Sequence, residues 1–460
     1  MTSTTTGRSE REQTRVTVAV SGPRRRRWGG MCRLASLAAI PLLGRGICSI
    51  FDQVIVSGAN FATGVIVGRN CLPEELGVYY LGLSVVMFVS GLQRELVSAP
   101  YMVYCHQHEG KELRVYTGST LVHHLLLTLV ALAAGFSAAV TITAWKGEKL
   151  PAVAWILLGT APLMLLREFL RNLCFARLRL GSALVLDLAI AFLQVGSLFL
   201  LAWWEMLSVQ IVYCILGASC GAACIGWMLA SRGTFAGASE SVVRDWGRNW
   251  SFGKWAVASQ LIGSTTPYVM PWILAASHGE AATGILGACT ALVGLANMFV
   301  VGIANFLTPQ AARAFATGGI PALQRVLIRI GFVFVVCLSA FLVLVVVTGD
   351  QLPRLVYGKQ FGGTGAVIAV LAAALLANSL GITVGNGLCA MDRPSANLPA
   401  DVTNVVVTIA GAALLVAPLG ALGAASAALA GTVAGSVVRA MTLRRMMAIV
   451  AWEAKPAEIT

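Results

Sequence analysis

Four cations sit inside apolar stretches of membrane-helix length: Arg94, Arg167, Arg171 and Lys254. Charge in hydrocarbon is costly, so an intramembrane charge marks a substrate path, a relay or a pairing. A guanidinium is a planar fork of donors that matches phosphate, so Arg94 and Arg167 suit a phosphate or pyrophosphate head group. Glu95 follows Arg94, Glu168 follows Arg167, and Asp52 stands at matching depth. Consecutive residues diverge on a helix, so pairing is expected across helices, with Asp52 and Arg94 as one pair. The competing reading is structural: ion pairs for Arg94 and Arg167, and snorkelling for Arg171 and Lys254. Counted along helices, all these charges lie roughly 5–17 Å from the same end of their spans, where they would ring half of a cavity.

Uncharged polar residues continue the pattern. Gln53, Ser57 and Asn60 share a helix face at spacings of four and three, and Gln260 and Ser264 repeat it before Pro267, Tyr268 and Pro271. Such a stripe faces protein or water rather than lipid, so these residues are expected to line the cavity. Each proline removes a backbone donor, which makes Pro267 and Pro271 a candidate kink, either a moving gate or a static bend. In the second half, Asn297, Asn305, Asn378 and Asn386 are the comparable polar residues, with almost no buried charge beside them. An anion site is therefore expected to lean on the first half. His106, His108, His123 and His124 read as solvated loop residues, with proton coupling as the alternative. Most of the 11 cysteines lie in apolar runs and read as packing, and only Cys71 is expected on the outer side of the membrane, so no disulfide framework follows. Cys220 and Cys224 lack a second ligand pair, so no metal site is expected.

The elements that must hold these residues follow from composition. The chain is 57% hydrophobic and 12% charged, an integral membrane composition. Runs of membrane-helix length satisfy their own backbone, so the expected fold is all-α with about twelve transmembrane helices. A net charge of +13 reads as a basic cytoplasmic face, and without an aromatic-interleaved platform no nucleic-acid partner is expected. The expected organisation is a disordered basic tail over 1–30, a six-helix lobe over 31–231, a cytoplasmic loop over 232–250, a second six-helix lobe over 251–443 and a tail over 444–460. Lys and Arg concentrate on the loops that put both termini in the cytoplasm.

The two lobes read as a parallel repeat. Asn172, Ala176, Arg179, Leu184 and Asp187 recur 214 residues on as Asn386, Ala390, Arg393, Leu398 and Asp401, and Gly217 and Gly221 recur as Gly431 and Gly435. At a spacing of 207, Gln53, Ser57 and Gly77 recur as Gln260, Ser264 and Gly284. Duplicated membrane halves belong to transporters more than to enzymes. The Asn–Arg–Asp block reads as loop closure, and the paired glycines as close helix packing.

Four stretches carry a family resemblance. Gln53 and Ser57 lead into Gly68-Arg69-Asn70-Cys71-Leu72-Pro73-Glu74-Glu75-Leu76-Gly77, followed later by Leu352 to Phe361 (LPRLVYGKQF). Leu388 to Pro394 and Pro418 to Ala427 complete the series. In this order they resemble the polysaccharide-type (Wzx-like) flippases of the multidrug/oligosaccharidyl-lipid/polysaccharide exporter superfamily. The resemblance implies a V of two six-helix lobes in a bacterial cytoplasmic (inner) membrane. Its implied activity is flipping of an undecaprenyl-pyrophosphate-linked oligosaccharide by alternating access, with Arg94 and Arg167 on the cavity. It further implies a chain that acts as a monomer, beside membrane lipids and other polysaccharide-assembly membrane proteins. No cofactor is implied, and coupling to a proton or sodium gradient stays open. A cation-coupled drug exporter of the same superfamily is the alternative. A membrane-embedded glycan polymerase or ligase fits less well, because the outer loops are short.

Overall fold

The structure is a computed structural model. It describes the backbone of residues 31–145, 149–237 and 241–453, and the side chains of 51–143, 150–237 and 241–450 apart from 259, 264 and 265. The tail expected over 1–30 and the Ser264 side chain lie outside the described residues. Two compact units divide the chain, Met1–Ile47 and Cys48–Thr460, and the larger holds the membrane-length helices.

Helices succeed one another with short turns: α1 (Met31–Asn70), α2 (Pro73–Gln93), α3 (Ala99–Tyr104), α4 (Gly110–Trp145), α5 (Lys149–Ala176), α6 (Leu180–Trp203), α7 (Val209–Ala230), α8 (Val242–Thr348), α9 (Gln351–Tyr357), α10 (Gly365–Ala390) and α11 (Leu398–Glu453). Local chemistry sets the starts. Pro73 opens α2 with Glu74 and Glu75 in the first turn, where carboxylates complement the helix dipole. Ser208 caps α7, its hydroxyl accepting from the Ile211 N–H at 3.5 Å.

Among the described residues, nine helical stretches are long and apolar enough to cross a membrane. Two of them contain sharp reversals at glycines with left-handed or extended backbone. Gly279 (φ 78) and Gly319 (φ 58, after Gly318) divide α8 into three, α8a (242–278), α8b (280–317) and α8c (320–348). Gly420 (φ 55) divides α11 into α11a (398–419) and α11b (421–453). The divided stretches bring the spans to twelve. Only glycine tolerates such dihedrals cheaply, which is why the turns between long helices need no loop.

Two boundaries differ from expectation. Helix α8a begins at Val242, inside the stretch expected to be loop, and α11b runs to Glu453, inside the expected tail. Helical dihedrals persist through Pro267 and Pro271, and the backbone departs from the helix at Gly279. A proline costs one internal hydrogen bond, whereas a glycine with φ 78 reverses the chain, so the turn falls at the glycine.

The buried core forks. One cluster joins residues of both halves, from Val67, Tyr79 and Tyr213 to Tyr357, Phe361 and Ala425. At the other end it gives way to two: Leu96, Tyr101, Phe169 and Cys224 in the first half, and Leu307, Leu327, Leu388 and Met447 in the second. The halves thus meet at the end carrying Arg69, Pro73 and Tyr357. There Arg69 on α1 donates to the Val356 and Leu355 carbonyls at 2.7 and 2.5 Å, closing the C-terminal end of α9. Gln360 returns the contact by donating to the Gly68 carbonyl at 2.6 Å.

The repeat is present in the backbone. After α5, the Leu178 N–H donates to Phe175 and the Arg179 N–H to Cys174. After α10, Asp392 donates to Cys389 and Arg393 to Leu388. Leu178 (φ 56) and Asp392 (φ 59) are both left-handed, so each half ends this helix in the same Schellman turn, 214 residues apart.

Candidate functional site

Five charged residues of the first half gather on three helices. Arg167, Glu168 and Arg171 project from α5, Asp187 from α6 and Asp52 from α1. Arg167 donates to Asp187 Oδ1 through Nε at 3.0 Å and Nη2 at 2.5 Å, and to Glu168 Oε1 at 2.7 Å. Arg171, one turn along, donates to Asp187 Oδ2 at 2.8 Å and to Asp52 Oδ2 at 2.6 Å. The result is one buried chain, Glu168–Arg167–Asp187–Arg171–Asp52, with Asp187 at its centre and fully buried.

Several expectations change here. Asp52 pairs with Arg171 rather than with Arg94. Arg167 and Arg171 are spent on carboxylates, and three carboxylates face two guanidiniums. Asp187, expected to close a loop, is the hub. Its signal in the sequence was a charge seven residues inside an apolar run. Consecutive residues also pair, Arg167 with Glu168 and Arg94 with Glu95, because long flexible side chains bend back across a helix even when their Cβ atoms diverge.

A cavity of about 40 Å³ opens against this chain, lined by Asn60, Ser90, Arg167, Glu168, Asp187 and Gln194. It has room for a water-sized occupant. Asp52 Oδ1 and Ser90 Oγ are buried without a hydrogen-bond partner. Gln53 donates to Ser57 at 3.2 Å on the exposed side of α1.

Arg94 lies elsewhere. It opens a π-helical turn, Arg94–Ser98, that joins α2 to α3, a wide turn often found at functional sites. Its side chain is 55% exposed, donating to Glu95 at 3.1 Å and to the Gln260 side-chain oxygen at 3.3 Å. Gly253 packs so closely that a Cβ there would lie 2.8 Å from the Glu95 carbonyl, which brings Lys254 beside the same turn. Lys254 is exposed, 5.7 Å from the centre of the Trp255 ring. Tyr268 contacts Phe88 edge-on at 6.2 Å.

Helix α8a is fastened to the first half along its length. His123 Nε2 donates to the Val242 carbonyl at 2.9 Å, which leaves Nδ1 to accept from Asn249 at 3.4 Å. The Asn249 oxygen accepts from the Tyr116 hydroxyl at 2.9 Å. His123 and His124 are thus core residues, each 1% exposed, contrary to the expected solvated loop. In the second half, Asp401 pairs with Arg439, a partly buried ion pair that pattern reading missed.

No protein-family profile and no curated protein sequence matches the chain. Solved structures do. The inward-facing conformation of a multidrug resistance MATE family transporter of the MOP superfamily is similar with TM-score 0.71 and 15% identity, over 88% of this chain and 96% of that one. Lipid II flippase MurJ, in an inward closed conformation, is similar with TM-score 0.68 and 13% identity, over 90% and 94%. The outward-facing conformation of a MATE family transporter is similar with TM-score 0.60 and 13% identity, over 88% and 95%. At these identities the likeness establishes the fold: this is a multi-pass, all-helical membrane protein with the architecture of MOP-superfamily transporters.

Proposed function

We propose that the chain is an alternating-access transporter that carries a lipid-linked oligosaccharide with a pyrophosphate head group from the inner to the outer leaflet of a bacterial cytoplasmic membrane. The observation that carries this reading is the contrast between two sets of cations. Arg167 and Arg171 are neutralised inside the first half, whereas Arg94 stands exposed on its π turn and Lys254 stands exposed on α8a, next to the Gly253 that packs on that turn. A forked donor beside a point charge fits a pyrophosphate. Arg94 lies 21 residues from Pro73, roughly 30 Å along α2, near the depth at which a head group of the basic-side leaflet would sit. The closed contacts at the Arg69 end, and the greater likeness to an inward-facing than to an outward-facing relative, support an inward-facing state. In this reading head-group capture is followed by rocking of the two lobes, with both termini cytoplasmic.

The test is complementation of a bacterial strain lacking its own polysaccharide flippase, scoring surface glycan at matched membrane levels. Wild type should restore it, and Arg94→Ala/Lys254→Ala should not. Full rescue by the double variant would discard this capture site.

A second reading, a cation-coupled exporter, is favoured by the carboxylate excess around Asp52 and its unpartnered Oδ1. A buried site with three carboxylates and two guanidiniums has one negative charge to offer a proton or sodium ion. Drug efflux driven by either gradient and lost in Asp52→Asn would favour it over the flippase.

A further inference from the structure

A second cavity, of about 290 Å³, lies between α2, α4, α5 and the indole of Trp272 on α8a. It is far from empty-tolerant: packed bundles hold few voids larger than a water. Its walls are apolar, with small residues such as Gly82, Ala131, Gly135, Ala154 and Ala161 between larger aliphatic ones. The polar groups that border it are already used. The Thr128 hydroxyl donates to the His124 carbonyl at 2.8 Å, and Trp272 Nε1 donates to Ser84 Oγ at 3.0 Å. A water here would lack the two to four polar partners that hold a buried water, so hydrocarbon suits the space.

The cavity is also long. Its lining runs along α5 from Leu150 to Leu165, roughly 22 Å at helical rise. That exceeds the ~15 Å that one leaflet contributes to the hydrocarbon core, so an occupant lies extended along the helices. Val85, which lines the cavity, is itself exposed, and Leu129 and Phe136 on α4 and Trp155 on α5 are exposed apolar side chains of the same helices.

We propose that one acyl chain of a bilayer phospholipid occupies this cavity and serves as a structural ligand that holds Trp272 and the α8a segment after Pro271 against α2. The site is separate from the Arg94 turn and does not depend on what is transported. Because Trp272 forms one wall, movement of α8a away from α2 would open the cavity, which ties the resting state to lipid chain chemistry.

The experiment uses the full chain in nanodiscs of phosphatidylcholine brominated at mid-chain. The Trp272 signal is the difference between wild type and Trp272→Phe. Strong quenching of Trp272 in wild type is expected, with its loss in Ala131→Phe, which fills the cavity, while the exposed Trp155 stays quenched. Ala131→Leu, a smaller filling, keeps the test decisive if phenylalanine is not accommodated. Absence of Trp272 quenching in wild type, or its persistence in a folded filled variant, would overturn the proposal. So would quenching obtained only with a brominated polyprenyl phosphate, which would assign the cavity to a substrate tail.

Discussion

Gly77 and Gly284 each rest on the start of the other's helix. A Cβ on Gly77 would lie 1.8 Å from the Glu280 carbonyl oxygen, and one on Gly284 would lie 2.2 Å from the Pro73 carbonyl oxygen. Both pairs of equivalent positions, 77 with 284 and 73 with 280, are 207 residues apart. The contact therefore maps onto itself when the halves are exchanged, as a self-complementary patch does across a two-fold axis.

This seam predicts a conformational shift. Gly77→Ala or Gly284→Ala places a methyl inside a carbonyl oxygen, and α2 and α8b must separate. The expected outcome is a population with the Arg69 end open. Spin-label distances between the outer ends of α2 and α8b should lengthen in either variant, and unchanged distances would mean the seam closes some other way.

Removing the Arg171 side chain should cost far more than removing a surface cation. Arg171→Ala leaves Asp52 buried without its cation and Asp187 with Arg167 alone, and breaking a buried pair in this way costs about 3–5 kcal/mol. Thermal unfolding in detergent should show this loss. Arg94→Ala, at an exposed pair, should change stability by less than about 1 kcal/mol.

Much of this was legible from the residues. Charge within apolar runs identified Asp52, Arg167 and Arg171, and the 214-residue repeat anticipated the paired turns after α5 and α10. What escaped was pairing. Depth counting matched Asp52 to Arg94, but azimuth decides which side chains meet: Arg94 reaches Gln260 on α8a, while Arg171 on α5 reaches Asp52. His123 was missed for a related reason. Its partners, Val242 and Asn249, lie on a segment whose polarity reads as loop, although buried Asn249 and Tyr116 complete its hydrogen bonds.

Asn249→Ala should loosen α8a. It leaves the Tyr116 hydroxyl and His123 Nδ1 buried without partners, at about 1–3 kcal/mol for each orphaned group. Hydrogen exchange over 242–251 should rise before global unfolding, whereas an unchanged rate would mean the fastening lies elsewhere.

Asp350 gives a pH signature. The Gly365 N–H donates to its carboxylate at 2.6 Å, and this bond, with that of the Gly363 N–H, holds its pKa below the usual carboxylate range. A depressed folded pKa stabilises above the unfolded value of about 4 and is lost as pH falls through the folded value. Asp350→Asn should therefore lower the melting temperature at pH 7, and the gap to wild type should close in strong acid.

The left-handed turn predicts a gain. Leu178 holds φ 56 with a branched side chain, whereas Asp392 at the matching position tolerates that conformation better. Leu178→Gly should stabilise the protein by about 1 kcal/mol, measured by denaturant midpoint.

The fastening of α8a bears on how the protein is made. The bonds from Val242 and Asn249 to α4, from Gln260 to Arg94 and from Trp272 to Ser84 all reach back to residues synthesised earlier. Once translation has passed residue 278, the seventh span can dock on the first six with no contribution from the remaining five. Chains are completed N-terminus first, so the natural assembly intermediate has seven spans rather than six. A polypeptide ended after the sixth span would expose the very surface that α8a is built to cover.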